Sequence, residues 1–145
     1  MTDTLLDPHI THERTVHPAR NAAVVGLIDT DRQILMVRTK RLPNHWQPVG
    51  GGVEAQDASP AHTAQRELYE EFGLTIDIDL FKHTVTTNYD FGVGQIDFFT
   101  CSLPLSSLLS PNTQEILEWR WISLNKAIDL PVFPATKTFL NALLQ

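Results

Sequence analysis

An α+β domain, with helices packed on a mixed β-sheet, is the architecture the sequence predicts. Three observations predict it. Short apolar runs rich in β-branched residues, such as 22–28 (AAVVGLI), have the length of buried strands. Ser59 and Pro60 open one clear helix, which Gly73 closes. Strand-like and helix-like segments then mix to the C-terminus without repeat or linker. The 145 residues, 42% of them hydrophobic, suit one packed core.

The elements follow in order. Residues 1–20 are polar and aperiodic and read as an N-terminal arm, leaving 21–145 as a single domain. Residues 22–28 form a strand, 29–32 a turn, and 33–39 (QILMVRT) a second strand, so that 22–39 reads as a hairpin. A basic loop, 40–45, holds Pro43 and Asn44, and 46–52 runs into three consecutive glycines. Ser59 is a favoured N-cap, and Pro60 suits the first helical position because its missing N–H is not needed there. The helix runs to Phe72, with Gly73 where a left-handed residue ends a helix. Two strands follow, roughly 75–90 and 95–103. Residues 103–111 form a loop or short helix, 117–122 another strand, and 134–144 a C-terminal helix with proline at its start.

Composition narrows the function. A net charge of −6 and a pI near 5.4 disfavour an extended nucleic-acid partner, which selects a basic face. A small anion remains a suitable ligand if metal ions supply positive charge. With Cys101 the lone cysteine, no disulfide within the chain is possible. No apolar run approaches the ~18–20 residues of a membrane span, and the first 20 residues lack the apolar core of a secretory signal. A cytoplasmic protein, monomer or homodimer, acting on a small molecule is the expectation. His9, His12 and His17 lie in the arm without carboxylate or cysteine partners and do not read as a metal site. Cys101 reads as a small buried hydrophobe.

The chemistry concentrates in 50–74. Glu67, Glu70 and Glu71 are spaced i, i+3, i+4, which puts three carboxylates on one helical face. Ala61, Ala64, Leu68 and Phe72 form an apolar stripe roughly 110° away. Such a helix can dock on a core and still hold its carboxylates at the edge of a cleft. Clustered like charges near a helix C-terminus are unfavourable. A hard divalent cation reverses that penalty, and Mg²⁺ commonly joins carboxylates to substrate phosphates.

Residues 66–74, RELYEEFGL, match the second half of the Nudix box, R-E-U-x-E-E-x-G-U with U aliphatic, at every fixed position, and 50–54 (GGGVE) looks like the loop that opens it. The chain therefore resembles the Nudix hydrolases, of the MutT-like kind. The box covers about a sixth of the chain. The resemblance implies an α/β/α sandwich with helices on both faces of the sheet. It also implies Mg²⁺-dependent hydrolysis, with Mn²⁺ as a substitute, of a nucleoside diphosphate linked to a further group X. Glu67, Glu70, Glu71 and the Gly51 carbonyl would hold metal, with Arg66 orienting the carboxylates and pairing with Glu70. The general base falls either on the helix, at Glu70, or on a later loop, at Glu115, with Glu118 second. One departure from the family spacing stands out. The first glutamate of the box falls on Asp57 or Ala58 depending on the direction of counting. One extra loop residue, with Asp57 as a shorter stand-in, is the preferred reading.

Selectivity would come from outside the box. Arg38, Lys40 and Arg41 are candidates for gripping phosphate. Trp46, Tyr89, Phe91 and Phe133 are candidates for stacking on a base, with 133–136 where some relatives read a purine, although Trp46 and Phe133 suit packing better. Nucleoside triphosphates, ordinary or oxidised, are slightly favoured as substrates, with ADP-ribose, dinucleoside polyphosphates and nucleotide sugars beside them. Two other functions stand beside hydrolysis: a non-catalytic nucleotide- or ADP-ribose-binding module, and an isoprenoid diphosphate isomerase. The isomerase needs a dedicated cysteine, for which Cys101 offers no matching motif.

Overall fold

The computed structural model describes residues 20–103 and 109–145. The 1–20 arm with its three histidines, and residues 104–108 of the 103–111 segment, lie outside this description, Arg20 excepted. Six strands, β1 (Ala22–Ile28), β2 (Gln33–Thr39), β3 (Val49–Gly52), β4 (Lys82–Asn88), β5 (Gln95–Ser102) and β6 (Ile116–Ser123), form one sheet. Among the described residues three helices accompany it: α1 (Pro60–Phe72), α2 (Leu124–Ala127) and α3 (Pro134–Leu144). The strand order is β4-β5-β1-β2-β6, with β3 also beside β1. Among the described strands β1 and β5 pair in parallel and the other pairs are antiparallel, so the sheet is mixed.

The continuous apolar run of β1 is explained by burial on both faces. Ala23, Val25 and Leu27, with Leu35 and Val37 of β2, pack under Ala64, Leu68 and Phe72 of α1. Val24 and Ile28, with Ile34 and Met36, pack against Phe139 and Leu140 of α3. The two cores lie on opposite sides of the sheet, giving the expected α/β/α sandwich. α1 is capped as the sequence implies. Ser59 Oγ accepts from the His62 N–H, and Gly73, at φ +67°, donates its N–H to the Tyr69 carbonyl. A positive φ suits glycine, which has no Cβ to clash.

Four local expectations change. The 22–39 hairpin pairs only at its turn, Ile28 opposite Ile34. Beyond that the strands part: β3 takes the edge of β1 over Ala22–Val25, and β6 runs along β2. β3 itself was not expected, because three glycines have little strand propensity; its ladder with β1 makes it a strand. The strand expected from residue 75 begins at Lys82. The alternation in 74–81 (LTIDIDLF) imitates a strand, but Asp77 Oδ1 accepts from the Asp79 N–H and caps a 3-10 turn at Ile78–Leu80. The short α2 had no periodic signal long enough to read. The wedge that β3 drives between β1 and β2 matters most, because it sets the glycine loop against α1.

Candidate active site

The apolar stripe seats α1 on the sheet, and the i, i+3, i+4 spacing then turns the three glutamates towards β3. They sit at different depths. Glu71 is buried, and its Oε1 has no hydrogen-bond partner. Glu67 is largely buried, and Glu70 is half-exposed. Burial, the largest influence, raises both the Glu67 and the Glu71 carboxyls, Glu71 further. The hydrogen bond between them lowers Glu67 and raises Glu71. The nearby charges of Glu67, Glu115 and Glu70 push Glu71 the same way.

Arg66 organises this face. Its Nε and Nη2 each lie 3.0 Å from an oxygen of Asp57, a two-pronged pairing. Nη2 also donates to the Gly52 carbonyl at 3.0 Å, and Nη1 to Glu67 at 3.1 Å and Glu70 at 3.2 Å. Asp57 Oδ2 further accepts from the Glu54 N–H at 2.9 Å and the Thr63 hydroxyl at 2.8 Å. Asp57, and not Ala58, thus stands where the spacing left two choices. The turn in which Asp57 N–H donates to the Glu54 carbonyl absorbs the extra residue. The guanidinium holds the Asp57 carboxyl far below the usual carboxylate range, against the opposing effect of burial. The same hydrogen bond strengthens the hold of Arg66 on its proton.

Two further features fit a divalent cation. A Cβ at Gly51 would occupy the place of the Glu67 carboxyl, so the missing side chain there lets that carboxyl lie directly against β3. The sealed, unpartnered Glu71 Oε1 beside a second buried carboxyl is costly to leave unpaired, and a hard cation is the natural partner for such oxygens. Among the described residues no three acidic, imidazole or thiol side chains converge on one point. Glu70 is turned to Arg66 and Glu67 shares that arginine, which leaves Glu71 Oε1 as the buried carboxyl oxygen of this face without a partner.

The late loop is pinned to this cluster. Asn112 N–H donates to the Glu71 carbonyl at 2.8 Å, Ser110 N–H donates to the Phe72 carbonyl, and the Asn112 amide donates to Glu115 at 3.1 Å. Glu115 lies close enough for its charge to act on Glu71. Asn112 had no sequence signal, because its role depends on contact with a helix 40 residues earlier.

These groups line one cleft of about 370 Å³. Glu67, Glu70, Glu71, Gly51 and Glu115 face it, as do the cations Arg20, Lys40 and Arg41, and an aromatic corner of Tyr89, Phe91 and Phe133. Arg38 and Trp46 do not line it. Arg38 is engaged by Glu118 at 2.9 Å and by the Pro43 carbonyl at 2.6 Å. Trp46 is buried, with the guanidinium carbons of Arg120 and Arg38 4.8 and 5.6 Å from its ring centroid. Both therefore belong to a packed stack, as an aromatic between arginines favours. Glu118 is held by Arg38 and Arg120, which lower its carboxyl, and sits outside the cleft. Phe133 reaches the cleft but is mostly buried, stacked on His45 at 4.2 Å. Cys101 is buried under α1 away from the cleft, and burial raises its thiol. Arg20 and Asp90 were missed: neither stands in a motif, and each reaches the cleft only through the fold.

The family described as NUDIX domain matches residues 17–143. The chain belongs to the Nudix family. Among Nudix relatives, the chain is 34% identical over 64 residues to diphosphoinositol polyphosphate phosphohydrolase 2 of Rattus norvegicus, covering 44% of this chain. That match spans 35% of the relative's length, so the chain covers about a third of it. Dihydroneopterin triphosphate diphosphatase of Haemophilus influenzae is 28% identical, covering 74% of this chain and 75% of the relative. The structure of the E. coli dihydroneopterin triphosphate pyrophosphohydrolase superposes with a TM-score of 0.72 at 18% identity, covering 86% of this chain and 95% of that one. At that identity the likeness establishes the Nudix fold, an α+β sandwich.

Proposed function

We propose that this Nudix chain is a metal-dependent hydrolase that cleaves the diphosphate of a nucleoside diphosphate linked to X. Nucleoside triphosphates and ADP-ribose are the leading substrates. The name of the Haemophilus influenzae relative adds a pterin triphosphate to them. The observation that carries the reading is the buried Glu67–Glu71 pair with its unpartnered Oε1, in a cleft that also holds Arg20, Lys40 and Arg41. Mg²⁺, with Mn²⁺ as a substitute, would neutralise phosphate charge and acidify a water there. Glu67, Glu71 and the Gly51 carbonyl would hold it. Arg66 keeps Glu67 and Glu70 aimed, while Asp57 fixes Arg66. Lys40, Arg41 and Arg20 would counter the remaining phosphate charge. The base that takes the proton of the attacking water is Glu115 or Glu70; Glu115 is preferred because Asn112 holds it beside the buried pair while Glu70 is turned to Arg66.

Phosphate and pyrophosphate release from nucleoside triphosphates, ADP-ribose, diadenosine polyphosphates and UDP-sugars tests this, each with Mg²⁺ and with EDTA. Turnover of at least one class, abolished by EDTA, is expected. Tight binding without turnover of any would overturn hydrolysis in favour of a binding module. The isomerase reading loses ground because Cys101 is buried outside the cleft. Glu115→Gln is expected to slow turnover roughly 10-fold or more, short of the ~10²–10⁴ of a sole base because Glu70 remains within the same cleft. Its Mg²⁺ affinity should stay close to that of the unaltered chain. An unchanged rate would move the base to Glu70.

A further inference from the structure

Asp90 is a carboxylate of the cleft that the acidic helix does not explain. It follows β4 between two buried rings, Tyr89 and Phe91, which meet edge-on at 5.4 Å. Phe91 meets Phe133, just ahead of α3, edge-on at 5.1 Å. Asp90 Oδ1 accepts from the Ala135 N–H at 3.0 Å, which fixes the carboxyl against the first turn of the 11-residue α3. Among the described residues Oδ2 has no hydrogen-bond partner and no cation pairs with it. Yet it is not sealed in protein, as Glu71 Oε1 is. A partly desolvated carboxyl with an open acceptor therefore lines the cleft inside an aromatic corner. Burial pushes this carboxyl up to about 6, against the lowering effect of the Ala135 N–H, so it is largely ionised at pH 7.5 and above.

The complement to such a group is a flat ring offering N–H donors. Each carboxylate oxygen has two acceptor positions, so Oδ1 retains one beside its bond to Ala135. Guanine and pterin present a ring N–H next to an exocyclic amino group, two donors at the spacing of two carboxylate oxygens. Adenine and cytosine present a ring nitrogen lone pair there instead, which a carboxylate repels. We propose that Asp90 reads the base of the substrate and selects rings with a ring N–H beside an amino group, the guanine and pterin edge. This rests on the nucleotide-hydrolase reading above and names the substrate within it.

The test compares kcat/KM for GTP, dihydroneopterin triphosphate and ATP, with Mg²⁺ at pH 7.5, in the unaltered chain and in Asp90→Asn. Asparagine can still accept from the Ala135 N–H, but it places an amide donor against the donor pair of the ring. The unaltered chain should prefer GTP and the pterin over ATP, and Asp90→Asn should reduce that preference ~10-fold or more, within the range of a bidentate base contact. No preference in the unaltered chain, or an equal loss on all three substrates in the variant, overturns the proposal. Asp90→Ser, which can also accept from Ala135, provides the same comparison if the asparagine variant does not fold. Calorimetric binding of GMP against AMP separates the two readings. Selective GMP binding that Asp90→Asn abolishes, in a chain that hydrolyses nothing, would sustain the base assignment and end the hydrolase reading. Equal binding of the two monophosphates would end the base assignment whatever the turnover.

Discussion

Glu71→Gln is expected to lower kcat by at least ~100-fold while leaving the fold intact. The argument begins with burial. Glu71 is 5% exposed, its Oε1 lacks a partner, and burial with the neighbouring carboxylates raises its carboxyl well above the usual range. Glutamine has the shape of the protonated acid and can donate to Glu67 in the same way. In EDTA the variant should therefore melt at or above the temperature of the unaltered chain, since it exchanges a buried carboxyl crowded by like charges for a neutral amide. The difference should emerge on adding Mg²⁺. A ligand that binds only the folded state raises Tm in proportion to its affinity, so the unaltered chain should be stabilised and Glu71→Gln barely so. Turnover and the Mg²⁺-induced Tm shift are the two readouts, and both depend on the same oxygen. Unchanged turnover in a well-folded variant would remove Glu71 from the metal-holding set.

The site was legible in sequence where it is local, and illegible where it depends on chain segments meeting. Glu67, Glu70 and Glu71 share a face because of helical spacing alone, and Arg66 reaches Glu70 for the same reason. Ser59 and Gly73 announced both ends of that helix through backbone chemistry. The two-sided burial of β1 was legible too, since a strand covered on both faces needs no polar alternation. The position of β3 was not, because its glycines become a strand only by pairing with Ala22–Val25. The parting of β1 from β2 followed from that insertion and escaped the hairpin reading. Arg38 and Trp46 illustrate the converse error. Their residue types suit phosphate and base, but β6 brings Glu118 and Arg120 beside them, and those partners use both side chains in packing. Asp90 carries no motif, and its meaning comes from a helix that begins 44 residues later.

Asp57→Asn is expected to destabilise the chain by roughly 2–3 kcal/mol and lower Tm by about 5–10 °C. Breaking a fully buried ion pair costs about 3–5 kcal/mol. The lower figure applies because Arg66 keeps 18% of its side chain exposed and retains Glu67 and Glu70 as partners. Asparagine conserves the shape of Asp57 but turns an amide N–H₂ towards the guanidinium, so the charge and one of the two hydrogen bonds to Arg66 are lost together. The pH dependence fixes the cause. Asp57 is held in the folded state far below its unfolded value of about 3.9. Its contribution is therefore fully present above about pH 4 and is lost as the pH falls further towards the folded value. The Tm gap between the unaltered chain and the variant should be constant from pH 5 to 8 and should narrow below pH 4. Turnover should fall about 10-fold as well, because Arg66 released from Asp57 no longer holds Glu67 and Glu70 in register. A gap of the same size at pH 3 and pH 7 would show that packing, not the ion pair, makes the shorter Asp57 acceptable in place of glutamate.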